Sequence, residues 1–264
     1  MTAAKPHPPP RPADDLPEAA GRLLERLRSE GRRVHAITNA AAQVLTANLL
    51  LAAGGTPSLT IAVDEIVAFT GRADALLVNL GTLDNERRAS LAWAIATARA
   101  HGKPWVLDPV FVDASPARLA LARLCLAGSP AILRCNRSEF AALAGEEAAP
   151  QALSAFANAR RVVVALTGPV DQVTDGSRFV AIANGHPLMT RVTAMGCAAT
   201  ALVAAFAAIE PDPWRAAACA LMVVGIAGEI AGEVAQGPGS FVAAFLDSLH
   251  AMEASDLRRR ARLS

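Results

Sequence analysis

The sequence predicts a three-layer α/β/α fold, with a mostly parallel central sheet between two layers of helices and antiparallel strands at one edge. Apolar, β-prone runs alternate with helix-length segments along most of the 264 residues, the pattern of parallel strands joined by crossover helices. Runs such as ALLVN (75–79) and VVVAL (162–166) are apolar on both faces, as strands are when helices cover both sides of a sheet. Residues 171–192 break the rhythm. They hold Asp175-Gly176 and Asn184-Gly185 turn signals between short β-prone pieces, and they read as antiparallel strands at the sheet edge.

Taken in order, a first helix is expected over 15–29 and a short strand over Val34–Ile37. Asn39 stands where an N-cap would, ahead of a helix that stops at Gly54-Gly55. Strand 75–79 leads to a helix from Asn85 to His101, closed by Gly102, and strand Trp105–Leu107 is stopped by Asp108-Pro109. A helix over 115–127 precedes strand Ala131–Arg134, and helices near 138–144 and 150–159 precede the strand that ends at Thr167-Gly168. Two long helices, 196–209 and 213–235, follow the edge strands, and a last helix starts near Ser240 as its N-cap. No repeat or internal linker interrupts this order. Residues 15–264 are therefore expected to form one domain, behind a Pro-rich tail, residues 1–14, expected to be disordered.

Composition narrows the function. The formal net charge of +1 supplies no positive field for a nucleic-acid backbone, and the basic run LRRRARLS at the C-terminus reads as a solvated tail. The N-terminal segment lacks the apolar stretch of a signal peptide. The longest apolar stretch, residues 194–209, is shorter than the ~18 residues of a membrane span and reads as a buried helix. The four cysteines, Cys125, Cys135, Cys197 and Cys219, form no C-x-x-C pair, which fits a reduced, cytoplasmic setting. There is no Walker A string and no GxGxxG after the first strand, so phosphate binding of those two kinds is not expected.

Polar residues recur at strand ends: Asn39, Asn79, Asp108, Arg134, Asn136 and Thr167-Gly168. Parallel strands point one way, so these residues gather at one edge, where open sheets bind ligands. Turn-prone residues lead into Gly196-Cys197, where a helix of small residues begins. The first N–H groups of a helix lack internal partners, so this start is suited to a phosphoryl anion. A thiol there is expected to have a lowered pKa, although a small core residue is an equally good reading of Cys197. Asp108 and Glu139 are carboxylates suited to Mg²⁺. Asn136 and Glu139 also match a helix capping box, and sequence leaves both readings open.

HAITN (35–39), LTANLLLAAGGTP (45–57), LLVNLGTL (76–83), VLDPV (106–110), RCNRSE (134–139), ALTGPVDQVTDG (165–176), NGHPLMTRVTAMGC (184–197) and GPGSF (237–241) stand in one order along the chain. Together they resemble the hydroxyethylthiazole kinase family. The resemblance implies a ribokinase-like fold, a homotrimer with sites at subunit interfaces, and ATP- and Mg²⁺-dependent phosphorylation of the hydroxyl of 4-methyl-5-(2-hydroxyethyl)thiazole, a thiamin salvage step. It implies that Cys197 lies near the substrate hydroxyl and that residues 194–197, Gly196 among them, supply an anion hole. It implies that Asp108 and Glu139 hold Mg²⁺ through water, that Arg134, Asn136 and Thr167 meet ATP phosphates, and that Asn39, Leu59 and Ala194 line the substrate pocket. No nucleic acid or membrane partner is implied.

The chain departs from the family pattern at several positions. Ala194 and Cys135 stand where the family usually has Gly, Leu59 replaces a usual Met, and VFVDAS (110–115) occupies a loop usually rich in Gly. These changes keep two alternatives open at this level: a diverged kinase for another heterocyclic or sugar alcohol, and a non-catalytic ligand-binding protein on the same fold.

Overall fold

The computed structural model of the chain describes Ala13 and residues 15–264. The disordered tail expected over residues 1–14 therefore falls, but for Ala13, outside the described residues.

Eight strands form one sheet: β1 (Arg33–Ile37), β2 (Thr56–Ser58), β3 (Ala75–Asn79), β4 (Trp105–Asp108), β5 (Ile132–Asn136), β6 (Val163–Thr167), β7 (Asp171–Thr174) and β8 (Phe179–Ile182). Their order is β2-β1-β3-β4-β5-β6-β7-β8. The strands from β2 to β6 pair in parallel, and β7 and β8 add antiparallel. The architecture is the expected mostly parallel sheet with an antiparallel edge.

Alternation along each strand divides the apolar side chains into two cores. Ala75, Leu77, Val106 and Ile132 face α1 (Leu16–Glu30), α2 (Gln43–Ala52), α8 (Met195–Ala207), α9 (Pro213–Val234) and α10 (Pro238–Ala251). Leu76, Val78, Leu107 and Leu133 face α3 (Ile66–Arg72), α4 (Asn85–Ala100), α5 (Pro116–Ala127), α6 (Arg137–Ala144) and α7 (Pro150–Arg160). Among the described residues, α9 alone is long and apolar enough to cross a membrane, and 72% of its apolar window is buried inside the protein. It is the central helix of the first core.

Several details differ from expectation. β2 and α3 fill residues 56–72, where the sequence carries weak signals: β2 is three residues with Pro57 inside, and an edge position tolerates the missing N–H. Asn39 does not cap α2; Ala42 occupies that position with no side-chain cap, and Asn39 is engaged elsewhere. The piece after Asn184-Gly185 is a 3-10 turn, Pro187–Arg191, rather than a strand, because Pro187 fits a helical first turn and supplies no ladder N–H. Gly237, not Ser240, stands at the N-cap of α10, while Ser240 Oγ accepts from Gln236 N at 3.0 Å.

The basic C-terminal run is not a solvated tail. It forms α11 (Ala254–Arg260) and then an extension along β8. Ser264 and Ala181 exchange backbone hydrogen bonds of 3.1 and 2.9 Å, and Ala183 N donates to Arg262 O at 2.9 Å. Arg260 pairs with Glu233 at 2.6 Å, and Arg262 pairs with Glu229. The reason is mutual need. β8 is an edge strand with open backbone groups, and α9 presents Glu229 and Glu233 one turn apart. A chain ending at Ala261 should lose about 1–3 kcal/mol of stability, seen as a lower urea midpoint with an unchanged α/β circular dichroism spectrum; an unchanged midpoint would mean that the extension contributes nothing.

Candidate active site

The chain turns back on itself across the sheet between β1 and β3, because β2 lies on the far side of β1. A crevice at the carboxyl ends of such strands is the usual ligand site of an open α/β sheet. Asn39 and Leu59 follow β1 and β2 at this edge, and Asn79, Asp108, Asn136 and Thr167 end β3, β4, β5 and β6. Register sets Asn79 beside Asp108 and Asn136 beside Thr167. Asn79, Asp108 and Arg134 each stand two residues beyond a side chain in the α8-side core. They therefore point to the face that α8 covers.

These side chains form one buried polar chain. Asn39 Nδ2 donates to Asn79 Oδ1 at 3.1 Å, and Gly81 N donates to the same oxygen at 3.0 Å. Asn79 Nδ2 donates to Asp108 Oδ2 at 2.9 Å. Thr200 Oγ1, from α8, donates to that oxygen at 2.8 Å. Arg134 Nη1 stands 4.0 Å from it. Asp108 Oδ1 is buried and has no hydrogen-bond partner among the described residues. Burial pushes the Asp108 carboxyl up to about 6, against the smaller pull of the Arg134 charge.

The start of α8 faces this chain. Its N-cap is Ala194 at φ 66°, and no side chain caps the first turn. Met195 N donates to Val192 O at 3.4 Å, and the N–H groups of Gly196 and Cys197 are left for an anion. Gly196 permits close approach: a Cβ there would lie 3.0 Å from Arg134 Nη2 and 3.2 Å from Nη1. The guanidinium therefore lies directly against the first turn. Cys197 is half-buried beside Asp108, Asn79 and Asn39. Its thiol does not have the lowered pKa expected of a helix start. Burial, followed by the Asp108 charge, pushes it up to about 11, because desolvation outweighs the partial charge of the first turn.

Asn136 and Glu139 form the capping box. Asn136 Oδ1 accepts from Glu139 N at 2.9 Å and Glu139 Oε2 accepts from Asn136 N at 2.9 Å. The other Glu139 oxygen accepts from Phe111 N at 2.9 Å. Phe111 and Val110 have φ of 56° and 23°, a region in which side chains other than Gly are strained by about 1–3 kcal/mol. Arg118 Nη1 holds the same loop through Val110 O at 2.7 Å. The glycine-poor loop thus keeps a glycine-like backbone under restraint from Glu139 and Arg118.

Thr167 Oγ1 reaches Cys135 O at 3.4 Å. Leu59 is half-buried against the α8-side core and takes no part in the polar chain. No group of three or more His, Cys, Asp or Glu converges on a metal position among the described residues. The arrangement fits a cation held loosely through water: Asp108 offers one oxygen without a protein partner, while both Glu139 oxygens already accept backbone N–H groups.

Sequence alone does not single out Thr200 or Asp171. Thr200 is the one polar side chain within a run of buried apolar residues, one turn after Gly196, and that contrast is its signal. Asp171 begins β7, accepts from Gly168 N at 2.9 Å, and is pushed up to about 6 by burial, with Arg134 pulling the other way. Its position near Arg134 depends on the antiparallel return of β7, which no local pattern reports.

A family model described as the Hydroxyethylthiazole kinase family matches residues 24–255. The chain is 47% identical over 253 residues to hydroxyethylthiazole kinase of Granulibacter bethesdensis, covering 91% of this chain and 92% of that one. It is 45% identical over 251 residues to the probable hydroxyethylthiazole kinase of Agrobacterium fabrum, covering 94% and 97%. The structure of hydroxyethylthiazole kinase from Pyrococcus horikoshii OT3 superposes with a TM-score of 0.89 at 36% identity, covering 94% of this chain and 98% of that one. A ribokinase-like superfamily protein from Enterococcus faecalis V583 superposes with a TM-score of 0.66 at 13% identity, covering 87% and 93%, which speaks to the fold alone.

The raised Cys197 pKa has a chemical consequence. Alkylation by iodoacetamide at pH 8 should run at least about tenfold slower than for an unperturbed thiol, and its rate should still be climbing above pH 10. Peptide mass spectrometry of Cys197 reads this directly; a rate that levels off near pH 7 would point to a lowered pKa.

Proposed function

Because the chain belongs to the hydroxyethylthiazole kinase family, we propose that it transfers the γ-phosphoryl group of ATP to the hydroxyl of 4-methyl-5-(2-hydroxyethyl)thiazole, a thiamin salvage step. The observation that carries this reading is the uncapped start of α8, set against Arg134 and the buried Asp108 at the carboxyl edge of the sheet. Phosphoryl transfer passes through a loose transition state, so positioning and charge stabilisation do most of the work.

Residues 194–197 meet the charge on the transferring group with backbone N–H groups. Arg134, Asn136 and Thr167, at the ends of β5 and β6, serve the ATP phosphates. Asn39, Leu59 and Ala194 line the alcohol side. Cys197 sits next to the hydroxyl. With its thiol pushed up to about 11, it is neutral at pH 7 and orients the alcohol rather than removing its proton. Asp108 and Glu139 hold Mg²⁺ through water, and the cation when bound neutralises phosphate oxygens. The protein is cytoplasmic, and residues 15–264 act as one domain.

A homotrimer with sites at subunit interfaces is part of the same reading. Val44 and Leu51 on α2 and Val67 and Phe69 on α3 are exposed apolar side chains on helices beside the β1–β2 edge, next to the alcohol side of the site. Sedimentation equilibrium is expected to give the mass of three chains, and a monomer at micromolar concentration would remove the shared-site reading.

Purified protein with Mg·ATP should release ADP only when the thiazole alcohol is added, with a phosphorylated thiazole seen by mass spectrometry. Cys197→Ser should keep measurable turnover. Asp108→Ala combined with Glu139→Ala should abolish the dependence on Mg²⁺, and full activity of that double variant would refute the metal assignment. Strong turnover of other alcohols in preference to the thiazole would reassign the substrate.

A further inference from the structure

We propose that Thr200 is a positioning residue of this kinase, whose hydroxyl fixes the orientation of the Asp108 carboxylate so that Oδ1 is the oxygen left for ligands. The proposal rests on the phosphoryl-transfer reading given above.

Thr200 is fully buried in α8, among Ala198, Ala199, Ala201, Leu202 and Val203. Packing alone does not call for a hydroxyl there. A buried hydroxyl costs free energy unless it is hydrogen-bonded, and Val has nearly the same shape without that cost. The hydroxyl lies 2.8 Å from Asp108 Oδ2 and 3.1 Å from Gly196 O. It has one proton for these two acceptors. The bond to an ionised carboxylate is the stronger of the two, so the proton belongs to Asp108.

Asn79 fills the other acceptor position on Oδ2, and Asn79 is itself fixed by Asn39 and Gly81 N. Two donors from different elements, β3 and α8, thereby converge on one carboxylate oxygen. Rotation of the carboxylate would break both bonds. Oδ1 is left without a protein partner, and it is the atom through which Asp108 can meet a hydrated cation or a phosphate group. Thr200 also stands one turn after Gly196, so the same side chain ties the carboxylate at the end of β4 to the first turn of α8. The start of α8 and the carboxylate are held in one register by a residue that is itself fully buried.

Thr200→Val keeps the shape and removes the hydroxyl, whereas Thr200→Ser keeps the hydroxyl and removes the methyl. The positioning role predicts that Thr200→Val lowers kcat by about 10- to 100-fold, with KM for the alcohol within about threefold of wild type. Thr200→Ser should retain nearly full kcat, with some loss of thermal stability. A packing role predicts the opposite order, and a Thr200→Val enzyme with wild-type kcat, or a Thr200→Ser enzyme with a collapsed one, would overturn the proposal. A crystal structure of Thr200→Val reads the same point without turnover: the Asp108 carboxylate should be rotated off Asn79, and an unchanged carboxylate would overturn the proposal whatever the substrate. Absence of thiazole turnover by the wild-type protein, by contrast, would count against the activity assignment and leave this structural readout intact.

Discussion

Asp108 ends β4 almost wholly buried, and a carboxylate there must find donors or give up its charge. Asn79 supplies one donor from β3, Thr200 another from α8, and Arg134 a guanidinium from β5. Each comes from a different element, so satisfying this one group fixes three adjacent strands and the covering helix relative to each other. The burial still raises the Asp108 pKa from 3.8 to about 6, so stability falls as pH rises between those values and the full cost of the ionised form is present above about 6. A pair of apolar residues would fill the space at lower cost. The carboxylate is better explained by chemistry than by folding.

The start of α8 depends on the same constraint. Arg134 lies close against the first turn, and a Cβ at residue 196 would push its guanidinium away by a few tenths of an ångström. The helix begins on Ala194 in a left-handed conformation, with no side chain to satisfy its first N–H groups. Four of the six described non-glycine residues with positive φ, Thr82, Val110, Phe111 and Ala194, fall in loops at the carboxyl edge of the sheet. Strain of this kind persists only where the surroundings over-determine the backbone, and the Glu139 and Arg118 contacts do so for the 110–111 loop. The positive backbone dipoles, a guanidinium and a carboxylate thus meet at one edge with little freedom to rearrange, as electrostatic preorganisation requires.

The protonation states follow from burial rather than from the helix dipole. Cys197 sits at a helix start, yet desolvation and the nearby Asp108 charge keep its thiol neutral. Chemistry in such a site is carried by geometry. The reacting hydroxyl has to be held in line with the phosphoryl group, and little base assistance is needed when the transition state is loose.

Much of this was legible in the chain itself. Alternating apolar runs give the parallel sheet, because strands buried on both faces cannot tolerate polar positions. Strand-end Asn39, Asn79 and Asp108 announce a site, because parallel strands deliver their ends to one edge. Gly196 followed by a run of small residues announces a buried helix with an open first turn. What the sequence could not give are the quantities set by distant partners. Asn39 reads as a cap but pairs with Asn79, forty residues away. Cys197 reads equally well as an activated thiol or a small core residue, and its pKa depends on how deeply the sheet and α8 enclose it. The arginines of the C-terminus read as a tail until Glu229 and Glu233 of α9 are placed beside them. Thr200 stands out only as a lone hydroxyl in an apolar run, and its partner is not evident until α8 is laid across β4. Local pattern determines which elements form and which groups lie at their ends; only tertiary packing decides which of those groups are desolvated and which donors reach them, because both depend on contacts between residues far apart in the chain.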